Sequence, residues 1–223
     1  MRDGIRGVIF DVDGTLVNSN DAHARAWVAA LSEADIQVTF ADVRRLIGMG
    51  GDKLLPAIAN IEEASPLGQR VGQRRAEIFR QQHLPQLRAF PKSRELLLRM
   101  RARGLHLAVA SSAKQAELEP LLELAHVKDL LEEATSSNDA QKSKPDPDIV
   151  QAALRGLELE PSGVVMIGDT PYDIEAANKA GMRAVAFRCG GRSTSDLAAA
   201  IAVYDDAADL LARFETSIFM NVA

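Results

Sequence analysis

One cysteine, Cys189, stands in a chain of 223 residues. A lone thiol excludes an intrachain disulfide and fits a reducing compartment. Its expected role is that of a small buried apolar side chain. Long apolar runs are missing as well, and nothing approaches the roughly 20 residues of a membrane span. A basic surplus is also missing: 26 Lys and Arg oppose 31 Asp and Glu, for a net charge of −5 and a pI near 5.4. That balance argues against nucleic acid and anionic membrane as partners, because both need a basic face. No low-complexity tract or repeat period interrupts the chain. The opening stretch, Met1 to Gly7, leaves no room for a signal peptide before the first strand. The expectation is a cytoplasmic protein. With no long apolar stripe left over, it is expected to be a monomer.

What is present is ordinary for a globular protein with a sizeable core: 47% hydrophobic and 26% charged residues. The length allows one large domain or two small ones. The most informative stretch is Val8-Ile-Phe-Asp-Val-Asp-Gly-Thr-Leu16. Val8, Ile9 and Phe10 form a short continuous apolar run, the pattern of a strand buried on both faces. Asp11 and Asp13 follow, then Gly14, which lets the backbone turn sharply. Open parallel sheets bind ligands at the carboxyl ends of their strands. Two carboxylates about 4 Å apart repel by roughly 4 kcal/mol at an effective dielectric of 20. Either a cation joins them or one holds a proton. The plainer alternative is a strand-ending Asx turn.

After Leu16 the period changes. Asn18, Ser19 or Asn20 can cap a helix carrying Ala24, Trp27, Val28 and Leu31 on one face, with Trp27 read as packing. Thr39 caps a second helix, Ala41 to Ile47, ended by Gly48. Gly48 to Lys53 reads as a flexible polar loop. Helices follow over 52–61 and 67–84, and the Arg run of the latter (Arg70, Arg74, Arg75, Arg80) reads as a solvated face. No strand pattern occurs between Val17 and Phe90. From Pro91 onward a helix to Gly104 gives way to alternating strands and helices. The strands are 105–110, 131–135, 164–167 and 183–188; the helices are 113–124, 145–157 and 172–180. The tail offers a helix over 195–200, an edge strand 201–204 and a last helix 206–214. Alternation of this kind implies right-handed crossovers and a parallel sheet. The expected fold is therefore α/β: a Rossmann-like parallel sheet flanked by helices (residues 1–17 and 91–223), with an all-helical insert (18–90).

Three later loops join the first. Ser111 and Ser112 follow an apolar strand where a helix begins, a place that suits an anion such as phosphate or plain capping. Lys144 precedes Pro145, which holds it extended, and a fixed Lys neutralises phosphate or carboxylate. Asp169 ends a strand as Asp11 does, and Asp173 lies four residues on. Carboxylates from separate strand ends repel unless a hard cation sits among them. Oxygen ligands without His or Cys point to Mg²⁺. A cation beside hydroxyls and a Lys describes a phosphoryl site.

These four motifs, Asp11-Val-Asp-Gly-Thr-Leu16, Ser111, Lys144 in Lys-Pro-Asp-Pro, and Gly168-Asp-Thr-Pro-Tyr-Asp173, resemble those of the haloacid dehalogenase superfamily. Their order matches, and they cover almost the whole chain. The helical insert resembles the small cap of phosphoglycolate phosphatase-like and β-phosphoglucomutase-like members. The resemblance implies Asp11 as nucleophile and Mg²⁺ ligand, and Asp13 as general acid/base with its carbonyl on the metal. It implies Ser111, Ser112 and Lys144 on the phosphoryl oxygens, Asp169 as metal ligand and Asp173 as a ligand or an orienter behind it. Gly51, Asp52 and Lys53, in the loop Gly48–Lys53, would choose the substrate.

Asp13 counts against dehalogenase and phosphonatase activities, whose family members lack an acid there. β-Phosphoglucomutases usually read Glu-Asp-Ser where this chain has Gly168-Asp169-Thr170, which favours a phosphatase. The expected function is Mg²⁺-dependent hydrolysis of a small phosphorylated metabolite through an aspartyl-phosphate. A sugar phosphomutase is the alternative. A non-catalytic phosphate-binding protein is a third reading, disfavoured because no catalytic carboxylate is missing. His23 is ambiguous: its helix face borders the substrate or, the favoured reading, it is a half-exposed structural residue.

Overall fold

The computed structural model describes residues 4–220. The outermost residues of the expected sheet domain, 1–3 and 221–223, lie outside the described residues. Six parallel strands form one sheet in the order β3-β2-β1-β4-β5-β6. These are β1 (Gly7–Phe10), β2 (His106–Ala110), β3 (Glu133–Thr135), β4 (Val164–Gly168), β5 (Arg183–Phe187) and β6 (Ala202–Tyr204). In β1, Val8 and Phe10 pack into one apolar cluster and Ile9 into the other, on the opposite face. This is why the run has no polar alternation: both sides of the strand are covered. Helices α5 (Ser93–Ala102), α6 (Gln115–Leu124), α7 (Asp148–Leu157), α8 (Pro171–Lys179) and α9 (Ala207–Ala212) flank the sheet.

β1 pairs with β2 on one side and β4 on the other. The strand order reverses there, and this is where sheets of this topology leave a crevice. Asp11 and Asp169 immediately follow those two strands, so topology alone brings residues 158 positions apart side by side.

Between β1 and α5 the described residues form helices: α1 (Asn20–Ser32), α2 (Phe40–Leu46), α3 (Gly51–Ala59) and α4 (Pro66–Ile78), the last continuing through a π turn at Phe79–His83 and a 3-10 turn at Leu84–Gln86. The chain leaves and re-enters the sheet layer through adjacent linkers: Asn18 N donates to Arg88 O (3.0 Å) and Phe90 N to Leu16 O (2.9 Å). Thr39 caps α2 as expected, its Oγ1 accepting from Asp42 N.

Several boundaries differ from expectation. Helix α7 begins at Asp148, not Pro145, because Pro147 disfavours helical backbone at the residue before it, Asp146. Residues 195–200 form successive i→i+3 turns and no helix. There Ser193 and Asp196 bond each other's side chains and backbone, offering the chain a local alternative to helix. Gly51, Asp52 and Lys53 are no loop: they make the first turn of α3, where Asp52 suits the positive end of the helix dipole. No helix among the described residues is long and apolar enough to cross a membrane.

Candidate active site

Asp11 is fixed at the end of β1 by its own N–H, which donates to Ile167 O at 2.8 Å. Its carboxylate is buried and takes a hydrogen bond from Lys144 Nζ and another from Thr15 Oγ1 at 3.3 Å. Lys144 is fully buried. Its ammonium also donates to Asp173 Oδ1 (2.7 Å) and to Ala110 O (3.1 Å), so it stands between two carboxylates. Asp173 is held from behind, its Oδ2 accepting from Thr170 N (3.0 Å) and Thr170 Oγ1 (2.6 Å) in a capping box that starts α8.

Asp169 completes the group. Asn20 Nδ2 donates to its Oδ2 at 2.8 Å and Thr15 Oγ1 to its Oδ1 at 3.3 Å. The backbone closes tightly on it: a Cβ at Gly190 would fall 1.7 Å from Asp169 Oδ2, and one at Gly14 2.4 Å from the same atom. Asp11, Asp169 and Asp173 each offer an oxygen, all within 4.8 Å of one another. At that spacing two ionised carboxylates repel by about 3 kcal/mol at an effective dielectric of 20. A single ammonium cannot balance three such charges. Burial pushes the Asp169 carboxyl up to about 7, with Asp173 adding to the rise. Burial likewise raises Asp11 well above the usual carboxylate range, although Lys144 opposes it. Both shifts disfavour the free carboxylates, and the oxygen-only donor set suits a hard divalent cation among them.

Asp13 does not join this cluster. Its Oδ1 accepts from Ser19 Oγ and pairs with His23 Nε2 at 2.8 Å. Burial raises its carboxyl, but His23, Ser19 and Lys144 more than offset that, so it sits below the usual range. His23 is buried, its ring stacked on Phe79 with centroids 4.0 Å apart. The sequence favours a half-exposed structural His over one bordering the substrate; the ring is instead buried and lines the cavity over Asp11 and Asp13. The missing signal is Phe79, which arrives from the far end of the helical segment.

The remaining candidates divide. Ser112 donates to Gly48 O (3.3 Å) and lines the cavity over Asp11 and Asp13. Ser111 is fully buried and accepts from Ala113 N (3.1 Å) within the loop before α6, whose N-cap position is Lys114. Gly51 lines the cavity, whereas Asp52 bonds Ser143 and Lys53 pairs with Asp146 at 2.7 Å. Asp52 and Lys53 therefore tie α3 to the Ser143–Pro147 loop, and Lys53 is absent from the cavity wall. Arg75 breaks from the solvated face expected of its helix and turns inward to Glu117. Cys189 is half-buried, donates to Gly14 O, and has its thiol pushed up by burial.

Fold and site together describe a Rossmann-like α/β protein with buried carboxylates at the carboxyl ends of β1 and β4. Residues 8–187 match the haloacid dehalogenase-like hydrolase family, and the chain belongs to it. It is 30% identical over 214 residues to phosphoglycolate phosphatase of Rhodospirillum rubrum, covering 92% of this chain and 89% of that one. It is 32% identical over 188 residues to Protein SUPPRESSOR OF QUENCHING 1, chloroplastic, of Arabidopsis thaliana. That match covers 82% of this chain and spans only 18% of the plant protein's length. The crystal structure of a hydrolase from Pseudomonas syringae superposes with a TM-score of 0.87 at 27% identity, covering 95% of this chain and 98% of the other.

Proposed function

We propose that the protein is an Mg²⁺-dependent phosphatase acting on a small phosphorylated metabolite through an aspartyl-phosphate on Asp11. The observation that carries this reading is the meeting of Asp11, Asp169 and Asp173 around the buried ammonium of Lys144. The relative named phosphoglycolate phosphatase supports the same class. Residues 1–17 and 91–223 are the catalytic core, and 18–90 are the cap that covers it.

Asp11, Asp169 and Asp173 would hold the cation, with the Asp13 carbonyl as a further oxygen; the cation would supply charge neutralisation at the phosphoryl group. The carboxylate of Asp11 attacks phosphorus. Lys144, Ser112 and the O–H of Ser111 neutralise and orient the phosphoryl oxygens. Asp13, in its protonated form, gives its proton to the leaving oxygen as the bond to phosphorus breaks, and the carboxylate so formed afterwards takes one from the attacking water. The ionised form favoured by His23 and Ser19 suits that second step. Asp13→Asn is expected to form the phosphoryl-enzyme yet to slow its hydrolysis about 10²–10⁴-fold. Unchanged steady-state turnover would remove Asp13 from the acid/base role.

The test is a panel of phosphate monoesters with and without Mg²⁺, including a hexose 1-phosphate, following free phosphate and hexose 6-phosphate together. Mg²⁺-dependent phosphate release is expected. Hexose 6-phosphate formed without net phosphate release would make the protein a mutase instead.

Asn20 is the residue that reading the sequence missed at the metal: it was legible only as a helix cap. Its Nδ2 aims Asp169, while its buried Oδ1 has no partner among the described residues. Outer groups of this kind set metal affinity. Asn20→Ala is expected to raise the Kd for Mg²⁺ or Mn²⁺ about 10–100-fold by calorimetry; an unchanged Kd would make Asn20 merely structural.

Metal removal has a signed pH dependence. Asp11 and Asp169 hold protons to higher pH in the folded, metal-free protein than in the unfolded chain. The native state therefore binds the extra protons, and metal-free stability falls as pH rises from about 4 through about 7. Mg²⁺ displaces those protons and binds more tightly as pH rises. At a hundredfold excess over Kd it stabilises by about 2.7 kcal/mol, or roughly 5–10 °C in Tm. At one fixed Mg²⁺ concentration the gain is expected to be larger near about pH 8 than near about pH 5.5, because Kd falls as pH rises. A gain independent of pH in thermal melts would contradict protonated carboxylates at the site.

A further inference from the structure

Two cavities share a wall. The inner one, over Asp11 and Asp13, encloses about 50 Å³, room for three or four waters or one phosphoryl group. The outer one, about 560 Å³, opens between α3, α4 and the loops that follow β2 and β3. Trp27, Gly50, Gly51, Arg75, Ser112 and Glu117 line both. Across this wall Arg75 of α4 pairs with Glu117 of α6 at 2.6 Å, its guanidinium 4.9 Å over the Trp27 ring.

The pair is incompletely bonded. Glu117 is only 6% exposed, yet its Oε1 has no hydrogen-bond partner among the described residues, and neither has Arg75 Nε. Buried polar atoms are rarely left so. Here a free acceptor and a free donor belong to side chains that line both cavities. A hydroxyl is donor and acceptor at once and satisfies either atom. A carboxylate could accept from Arg75 Nε but would face the charge of Glu117 beside it. The charged side chains lining the outer cavity do not favour anions either: Asp52, Glu63 and Glu117 outnumber Arg75 and Lys114, and Lys114 already faces Glu63 at 4.0 Å. The side-chain amides of Gln69, Gln73, Asn138 and Gln141 supply neutral hydrogen-bonding groups on the same wall.

We propose that the outer cavity receives a neutral, hydroxyl-rich leaving group, and that Glu117, held by Arg75, is the specificity-determining residue that accepts from its hydroxyls and rejects leaving groups bearing a carboxylate. The inference rests on the phosphatase reading above, which places the phosphoryl end in the inner cavity.

The test compares sorbitol 6-phosphate with phosphoglycolate in two ways: kcat/KM of the wild-type enzyme with Mg²⁺, and equilibrium binding to Asp11→Asn protein by calorimetry. The hexitol phosphate is expected to be preferred about tenfold or more in both. Glu117→Gln and the exposed Gln73→Leu are each expected to shrink the preference several-fold, through KM and Kd. Equal or stronger binding of phosphoglycolate, binding of neither compound, or a preference untouched in both variants overturns the proposal. Tight, selective binding of the hexitol phosphate with no hydrolysis of any monoester supports the pocket and overturns the phosphatase reading. Equal hydrolysis of both compounds does the reverse.

Discussion

An Asp11→Asn enzyme is expected to lose at least about 10⁴-fold in kcat while remaining folded and able to bind phosphate monoesters. The carboxamide keeps the size of the carboxylate and its place at the end of β1, where the backbone bond to Ile167 fixes it. It removes the oxygen anion that attacks phosphorus. Asp11 repels Asp169 and Asp173 but also pairs with the buried ammonium of Lys144, so the substitution relieves repulsion and removes an ion-pair partner together. Turnover and monoester binding, measured on protein shown to be folded, are therefore the readouts. Full turnover in the variant, measured by phosphate release, would remove Asp11 from the chemistry.

The largest loss of stability is expected at Lys144. This side chain is fully buried and donates to Asp11, Asp173 and the Ala110 carbonyl at once. Burial alone would drive its proton off, but Asp11 and Asp173 hold the ammonium above its ordinary range. Lys144→Met keeps most of the volume and deletes the charge. Removing one partner of a buried ion pair typically costs 3–5 kcal/mol, because the other charge stays buried and unpaired. For a chain of this size that is a Tm drop of roughly 6–20 °C. The carboxylates left behind can protonate, so the drop is expected to shrink as pH falls, and Mg²⁺ should recover part of it. A Tm near that of wild type at neutral pH, without metal, would show that Lys144 does not balance the cluster.

The sheet and its first and fourth carboxylates were legible because each signal is local. A fully apolar strand followed by Asp-Val-Asp-Gly is written in consecutive residues, and parallel topology then brings the ends of β1 and β4 together. The pairs that tune the site were not legible. His23 faces Asp13 only because α1 turns back over the first loop, and Phe79 backs it from another helix. Asn20 reaches Asp169 across 149 positions, and Arg75 reaches Glu117 across 42. No spacing rule connects such residues. Where propensity misled, at residues 195–200, hydrogen bonds between Ser193 and Asp196 took the place of a helical ladder.

Rapid quenching of a single turnover by Asp13→Asn protein, followed by peptide mapping by mass spectrometry, tests the account most directly. One phosphoryl group on Asp11, formed only when Mg²⁺ is present, is the result the account predicts. A phosphoryl group on any other residue, or hydrolysis proceeding at the wild-type rate with no phosphoryl-enzyme at all, would contradict it.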